Sequence, residues 1–368
     1  MSSWGQPVLY SLYVYKPSNM APAIFAVLYG ISTVAHIWQC HRYKAFRLVG
    51  LQCVCGVLFT VGYALREYGA FNYLYRKGTD DRSPLLVYIF SQVFIYVCPP
   101  LLELANYHVL GRIFHFVPSA APIPAPFILR IFGGLMAVVE ALNALGAALS
   151  SNPTSTSASQ ALGAHLAVAA VCMQLGIIAI FFVLAGMFQH RLSSVRAAAA
   201  RSRTGGIQED NGGLREAQVI LVVMYASMLL ILARTVYRLV EHLPGSDHTR
   251  RDITNLAALQ ALSPLLRYEI FFLVFDGALM LANSILWNVW HPGRLLPRDP
   301  RVYLAQDGSR VLREVVVADG RAWWEKVLHV VTFGMFFGAA ASSKRKRSGE
   351  SCADEMEMAM VARQSESL

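Results

Sequence analysis

Charged residues are scarce in this sequence. Asp, Glu, Lys and Arg together make up 15% of its 368 residues, compared with about 25% in an average soluble domain. Hydrophobic residues account for 55%, and they are gathered in long continuous runs rather than spread along amphipathic stripes. Such runs exclude an ordinary soluble domain, and the composition therefore predicts a membrane protein.

Motifs of catalysis, ATP use and metal binding are also missing. The sequence has no Gly-x-x-x-x-Gly-Lys-Ser/Thr phosphate-binding loop and no Gly-x-Ser-x-Gly nucleophile elbow. Its histidines show no His-x-x-x-His spacing, and Cys53 and Cys55 would face different sides of a helix, so neither set suits a metal ion. We therefore expect no enzyme, no metal site and no cofactor.

Seven apolar runs are long enough to cross a bilayer. A spanning helix needs roughly 20 apolar residues to cross about 30 Å of hydrocarbon. Helices are predicted rather than barrel strands because the runs are long and do not alternate in polarity. The predicted fold class is an all-α integral membrane protein, a bundle of seven transmembrane helices, with spans at 21–40, 48–65, 85–107, 127–149, 163–188, 217–240 and 268–290.

The distribution of Lys and Arg predicts the orientation of the bundle. The loops after the first, third and fifth runs hold slightly more of these residues than the opposite loops, and four arginines closely follow the last run: Arg294, Arg298, Arg301 and Arg310. The positive-inside rule then places the N-terminus outside and the C-terminus in the cytoplasm. We expect an extracellular segment over 1–20, a membrane domain over 21–291 and a cytoplasmic tail over 292–368. A formal net charge of +9 suits an anionic inner leaflet as partner rather than nucleic acid.

The predicted tail contains one more apolar run. Residues 327–341 follow Trp323 and Trp324 but form a run too short for a typical span. Crossing would also carry the basic run 344–347 to the outside. We therefore predict an interfacial helix over 323–341 rather than an eighth span, followed by a disordered end that is poor in apolar residues.

The sixth and seventh runs each carry a stripe of polar residues, which are costly inside a membrane and are therefore candidates for function. Helical spacing puts the members of each stripe on one face: Arg234, Arg238 and Glu241 in the sixth run, and Glu269, Asp276 and Asn283 in the seventh. Facing stripes of opposite charge predict an Arg–Asp ion pair, in its strong form a bidentate one. The pattern indicates either a structural clamp between the helices or a polar cavity that contacts substrate.

Two further acids lie within predicted spans. Glu103 follows Pro99 and Pro100, which we expect to interrupt the hydrogen bonds of the third helix and to leave free carbonyls near the carboxylate. Glu140, in the fourth run, stands three residues before Asn143. The Glu103 position indicates either a hydrated pocket or a kink, and Glu140 with Asn143 is a second candidate polar site.

A longer motif ends the seventh run. It comprises Val-Phe-Asp-Gly-Ala-Leu-Met over 274–280 and Asn-Val-Trp-His-Pro-Gly-Arg-Leu over 288–295. Together with the spacing of Arg234, Arg238 and Glu241, this motif resembles the signature of the fungal lipid-translocating exporter family. The resemblance implies a seven-helix plasma-membrane protein with its N-terminus outside. Members resemble proteins that move sphingoid long-chain bases and give resistance to toxic lipids.

The chain departs from the family pattern at three positions. Phe59 stands where the resemblance leads us to expect a glutamate, Met136 where we expect an aspartate, and Asn143 where we expect a glutamine. Glu140 lies one helical turn after Met136 on the same face. We therefore hypothesise that the acid of the fourth helix has moved by one turn.

These features favour a lipid translocator. Acids such as Glu241, Glu269 and Asp276 would receive the cationic amine of a long-chain base, while the arginines of the sixth run hold the acids or contact lipid phosphate. The alternative is a seven-helix lipid-responsive receptor or stress sensor, which would engage cytoplasmic protein partners through the loop 189–216 and the tail.

Overall fold

A computed structural model describes residues 7–74, 83–151, 156–201, 212–242, 255–299, 302–304 and 310–312. Three predictions concern other parts of the chain. The middle of the loop 189–216, the interfacial helix over 323–341 and the disordered end lie outside the described residues, and they stay predictions.

Seven helices among the described residues are long and apolar enough to cross a membrane, which confirms the predicted fold class. The first six are continuous, and each is longer than its predicted run: α1 (Ala21–Tyr43), α2 (Phe46–Phe71), α3 (Ser83–Phe116), α4 (Ala125–Ser151), α5 (Ser157–Arg201) and α6 (Gly212–His242). Helix α5 departs most from its prediction, because its 45 residues continue well past the apolar run that ends at 188.

The seventh span is interrupted where the sequence predicted one continuous helix. Its region consists, in chain order, of α7 (Leu256–Ala261), α8 (Pro264–Arg267), α9 (Glu269–Phe272), a wider π-helical turn (Leu273–Ala278), α10 (Leu279–Val289) and α11 (Pro292–Leu295). Tyr268 is extended and separates α8 from α9. We call Glu269–Leu295 the seventh span. Asp276 lies within its π-helical turn, a feature that is frequent at functional sites.

Helix α3 continues through its proline pair, so the predicted interruption is limited to the backbone hydrogen bonds that the two prolines cannot donate. Pro99 and Pro100 are buried, and the helix continues through them without interruption. Proline is tolerated within membrane helices when neighbouring groups and packing compensate for the lost backbone bond. Here the Cys98 thiol contacts α2 through the Cys55 carbonyl, at 3.5 Å.

The helices form a closed ring. Helices adjacent in sequence pack side by side, the seventh span packs against both α1 and α6, and α3 contacts α6 across the bundle. Residues on α3, α6 and the seventh span therefore share the interior. With seven crossings, the segment before α1 and the segment after the seventh span lie on opposite sides of the membrane. Which of them lies outside stays a prediction.

Ordered segments lie at both ends of the ring. Before α1, three residues of the N-terminal segment are buried against the region that precedes the seventh span: Tyr13, Val14 and Tyr15 pack with Leu259, Leu262 and Leu266. After the seventh span, two short antiparallel strands, β1 (Val302–Leu304) and β2 (Arg310–Leu312), form a ladder that the sequence did not predict. Arg112 of α3 holds the connection to β1 by donating to the Pro297 and Asp299 carbonyls at 3.2 and 3.0 Å.

Candidate functional site

The predicted pairing of the two polar stripes is present at Asp276. Arg234 of α6 donates its Nε hydrogen to Asp276 Oδ1 at 2.9 Å, and Arg238 Nη2 lies 3.1 Å from the other carboxylate oxygen. The carboxylate is fully buried. The Arg–Asp pair is therefore present, although not in the bidentate form, because each carboxylate oxygen pairs with a different arginine.

Arg238 extends the cluster toward the end of α6. Its Nη1 donates to Glu241 Oε2 at 2.6 Å, within the same helix. The guanidinium also stacks over the Tyr96 ring of α3, 3.8 Å from the ring centroid, which adds a cation–π contact. We call Arg234, Arg238, Glu241 and Asp276 the central cluster. Its two formal positive charges balance its two negative charges.

Aromatic residues of α1 and α2 position the π-helical turn. Tyr29 donates its hydroxyl hydrogen to the Gly277 carbonyl at 2.9 Å. A Cβ atom on Gly277 would lie 3.0 Å from both the Phe25 ring and the Tyr63 hydroxyl, so only glycine fits this contact without displacement. Phe59, which replaces the glutamate expected from the resemblance, stacks on Tyr29 with ring centroids 4.5 Å apart. This aromatic layer packs against the turn that carries Asp276.

Glu269 does not join the central cluster, and its predicted stripe is corrected. Its Oε1 pairs instead with Arg66 of α2 at 3.2 Å, and its Oε2 accepts the Ser18 backbone N–H at 2.7 Å. Tyr268 is extended, and a π-helical turn follows from Leu273, so the regular seven-residue spacing of an α-helix does not hold there. We call Arg66 and Glu269 the end pair.

Arg66 is a buried residue that sequence reasoning assigned to a loop. Helix α2 continues to Phe71 and so carries Arg66 inside the bundle, where the residue is 1% exposed. Arg66 also donates to the Tyr15 hydroxyl at 2.8 Å and lies over the Phe272 ring at 4.0 Å. Burial also raises the pKa of the Tyr15 phenol. The predicted apolar run ended at 65, so the sequence did not indicate that α2 continues past Arg66.

Glu103 is held by two partners that the sequence did not indicate. Tyr107, one turn later on α3, donates to Glu103 Oε1 at 2.5 Å. Gln174 of α5 donates to Oε2 at 2.8 Å. The i to i+4 spacing of Glu103 and Tyr107 could have suggested the first contact, whereas nothing local links Glu103 to Gln174.

Glu140 lies close enough to both Glu103 and Arg234 to interact with them electrostatically. Asn143 stands three residues later on the same helix, and Glu140 Oε1 is buried with no hydrogen-bond partner among the described residues. Met136, one turn earlier, is buried. The predicted acids Glu103 and Glu140 are thus near the central cluster on the side of α3, α4 and α5.

A neutral group of residues lies further along α6 and the seventh span. Asn106 Nδ2 donates to Ser227 Oγ at 2.8 Å, and Ser227 Oγ donates to Asn283 Oδ1 at 2.6 Å. Asn283 therefore faces α6, as its position in the predicted stripe required. We call Asn106, Ser227 and Asn283 the amide cluster. Among the residues that the structure describes, no group of three His, Cys, Asp or Glu side chains could hold a metal ion.

The end pair, the central cluster and the amide cluster follow one another along the seventh span, and their side chains differ in chemistry. The end pair and the central cluster supply carboxylates for a cationic group and guanidinium groups for a phosphate. The amide cluster supplies only uncharged donors and acceptors. Chemistry of this kind suits the binding of a charged or polar group.

Comparisons with known proteins identify related chains. A family model described as "RTA1 like protein" matches residues 53–299. The "Lipid-translocating exporter-like protein RTA1" of Leptosphaeria maculans is 44% identical over 90% of this chain and 60% of its own length. A protein of the same name from Ajellomyces capsulatus is 31% identical over 74% of this chain and 78% of its own. The "Probable lipid transporter atnI" of Emericella nidulans is 26% identical over 78% of this chain and 68% of its own. No solved structure matches this chain.

Proposed function

Because the chain belongs to the RTA1-like protein family, we propose that it is a multi-pass membrane protein that moves amphiphilic lipids between the two leaflets. The substrates are lipids with a cationic headgroup, of which sphingoid long-chain bases are the model. Movement of these lipids protects the cell from toxic amphiphiles. The protein acts in the plasma membrane, with its N-terminus outside and its C-terminus in the cytoplasm. The chain covers 60% of the length of the Leptosphaeria maculans relative. The activity is therefore a proposal about this chain and is not carried over from the whole of that relative.

The central cluster is the observation that carries this proposal. Asp276 is fully buried between two arginines, in a span that is long and apolar enough to cross the hydrocarbon region. A charged side chain at that depth costs at least about 2.5 kcal/mol, and replacing a buried ion pair by apolar residues is often neutral or stabilising. Packing alone therefore does not explain four buried charges, because apolar residues could pack there without the cost of burying charge. Reception of a charged headgroup is a role that apolar residues cannot fill.

The mechanism follows from exchange of partners within the cluster. An ammonium headgroup displaces Arg238 from Asp276 or Glu241, and the released guanidinium retains its contact with Tyr96. Glu269 meets the headgroup at the N-terminal end of the bundle, and Glu103, Glu140 and Asn143 offer polar contacts beyond Arg234. The acyl chain stays in lipid while the headgroup crosses the polar interior.

Leaflet exchange in liposomes tests the proposal. Purified protein is reconstituted with a fluorescent long-chain base, and the rate of exchange is measured for the wild type and for Asp276→Asn. We expect exchange that depends on the protein and falls about tenfold or more in the variant, because roughly 1.4 kcal/mol of lost stabilisation corresponds to a factor of ten in rate.

Glu67→Gln provides the matched control. Glu67 is an acid on α2 that accepts the Ala23 backbone N–H, and a glutamine retains that acceptor. This variant should exchange lipid at the wild-type rate. An Asp276→Asn protein that is folded and exchanges the base as fast as the wild type would remove the central cluster from the mechanism.

The second candidate function is a lipid-responsive receptor, and the length of α5 favours it. The 45 residues of this helix extend to about 67 Å at 1.5 Å per residue, more than twice the hydrocarbon thickness. The part beyond 188 therefore projects from the membrane, with exposed Arg191 and Arg196, on the face that the predicted orientation assigns to the cytoplasm. A protein partner could dock there. Saturable lipid binding without leaflet exchange would support this function over translocation.

A further inference from the structure

The amide cluster contains two buried polar atoms without partners. Asn106 and Asn283 are both fully buried. Asn106 Oδ1 and Asn283 Nδ2 have no hydrogen-bond partner among the described residues, although the other end of each amide bonds to the same Ser227 hydroxyl. A buried polar group without a partner is destabilising and is uncommon in proteins. Here the two free atoms belong to amides that share one hydroxyl, which makes this cluster a candidate for contact with a ligand.

The chemistry of Ser227 determines which atoms are free. The Trp287 indole can only donate, and it donates to Ser227 Oγ at 3.0 Å. Ser227 then has one proton to give and one remaining lone pair, so one asparagine must accept from it and the other must donate to it. Whichever way the amides are turned, one free carbonyl oxygen and one free NH₂ group remain.

We propose that the amide cluster binds a hydroxyl group of the amphiphile. A hydroxyl both donates and accepts, so a single hydroxyl can satisfy the free carbonyl and the free amide together. An ammonium group can only donate, and a phosphodiester can only accept, so each leaves one amide group unpaired. The site therefore selects hydroxylated headgroups, such as those of amino alcohols and diols, over plain amines.

The hydroxyl site and the central cluster are used in succession. Asn283 follows Asp276 by seven residues, which corresponds to roughly 10 Å along a helix axis. The amine and hydroxyl of an amino alcohol are much closer together than that, so one headgroup cannot contact both sites at once. The headgroup therefore passes from a charged site to a neutral one. This inference rests on the proposed function, because it takes the amphiphilic lipid of that proposal as its ligand.

Binding to proteoliposomes tests the inference with three probes that share an octadecyl chain. The probes are octadecylamine, octadecane-1,3-diol and 2-amino-octadecane-1,3-diol. We expect Asn106→Leu and Asn283→Leu to weaken binding of the two hydroxylated probes about five- to tenfold, the effect of losing one to two hydrogen bonds to buried groups. Binding of octadecylamine should change less than twofold.

Thr235→Val is the matched control for removal of a buried polar group on α6. Thr235 is fully buried, and its hydroxyl donates only to the Ile231 carbonyl of its own helix at 2.8 Å. This variant should bind all three probes as the wild type does. If a leucine variant does not fold, as judged by thermal unfolding, the smaller Asn106→Ala and Asn283→Ala replace it.

The outcomes separate this inference from the proposed function. Equal losses for amine and diol, or no loss for the diol, would overturn the hydroxyl site and leave the amide cluster a structural or water-filled group. If the diol binds through the asparagines but no probe changes leaflet, the hydroxyl site stands and translocation fails. Failure of the wild type to bind any probe would overturn both.

Discussion

At the scale of single residues, the charge balance of the interior depends on Asp276. The central cluster is neutral because Asp276 and Glu241 together offset Arg234 and Arg238. Removing Asp276 leaves one buried positive charge without a partner, and breaking a buried pair in this way typically costs about 3–5 kcal/mol. The loss of one arginine leaves the opposite excess.

A double-mutant cycle on Arg234 and Asp276 measures this balance. We expect Arg234→Gln and Asp276→Asn each to lower the free energy of unfolding, and the double variant to lose less than the sum by about 0.5–3 kcal/mol. The double variant is again neutral, because Arg238 and Glu241 remain paired. Unfolding in mixed detergent micelles provides the measurement.

The control cycle pairs Arg234 with the remote acid Glu67. The combination of Arg234→Gln with Glu67→Gln should be additive, since Glu67 bonds to the start of α1. Additive losses for Arg234 and Asp276 as well would contradict an energetic coupling between them.

At the scale of elements, α4 and α5 approach each other closely at Gly146. A Cβ atom there would lie 2.9 Å from both the Ala167 nitrogen and the Gly163 carbonyl oxygen of α5. Both are backbone atoms, so a side chain can be accommodated only if the helices move apart. Small residues commonly allow such close contacts between membrane helices.

Gly146→Ala should therefore destabilise the bundle. The expected loss is about 1–3 kcal/mol, the range seen when extra carbon is forced into a packed interface. Gly176→Ala on α5 is the matched control, because nothing lies within 4 Å of the added atom, and the better helix propensity of alanine should stabilise this variant by up to about 1 kcal/mol. Unfolding in mixed micelles measures both, and equal stabilities would refute the close approach.

At the scale of the whole molecule, the orientation of the bundle decides which face meets each leaflet. The closed ring with its seven crossings is compatible with either orientation in the membrane. The prediction of an outside N-terminus therefore depends on the distribution of Lys and Arg. The same choice determines whether the projecting end of α5 faces cytoplasmic partners. It also determines from which leaflet the end pair receives lipid.

Two single substitutions that create glycosylation acceptors determine the orientation. The sequence has no Asn-x-Ser/Thr acceptor apart from the inactive Asn152-Pro153-Thr154. Asp247→Asn would complete an acceptor with His248 and Thr249, between the sixth and seventh spans. Ser202→Asn would complete one with Arg203 and Thr204, between the fifth and sixth spans.

With the N-terminus outside, only the Asp247→Asn protein should become glycosylated in fungal cells. The measurement is a shift in electrophoretic mobility that an endoglycosidase removes. If the Ser202→Asn protein became glycosylated instead, the orientation would be the opposite of the predicted one, and the end of α5 would lie outside.

The sequence by itself determined the features that depend on neighbouring residues along the chain. Seven apolar runs predicted seven spans because the hydrocarbon thickness sets the length of a helix. The spacing of Arg234 and Arg238 predicted one charged face that meets Asp276, and the structure brings them together. These inferences succeed because helical periodicity is a local property.

Only the tertiary structure decided the partners that are distant in sequence. Glu269 pairs with Arg66, 203 residues away, and Glu103 accepts from Gln174, 71 residues away. No spacing rule relates such residues, because the approach of α2 to the start of the seventh span and of α3 to α5 depends on how all seven helices pack. The π-helical turn at Asp276 and the continuous helix through Pro99 have the same origin, since neighbouring helices supply the contacts that offset the altered backbone bonding.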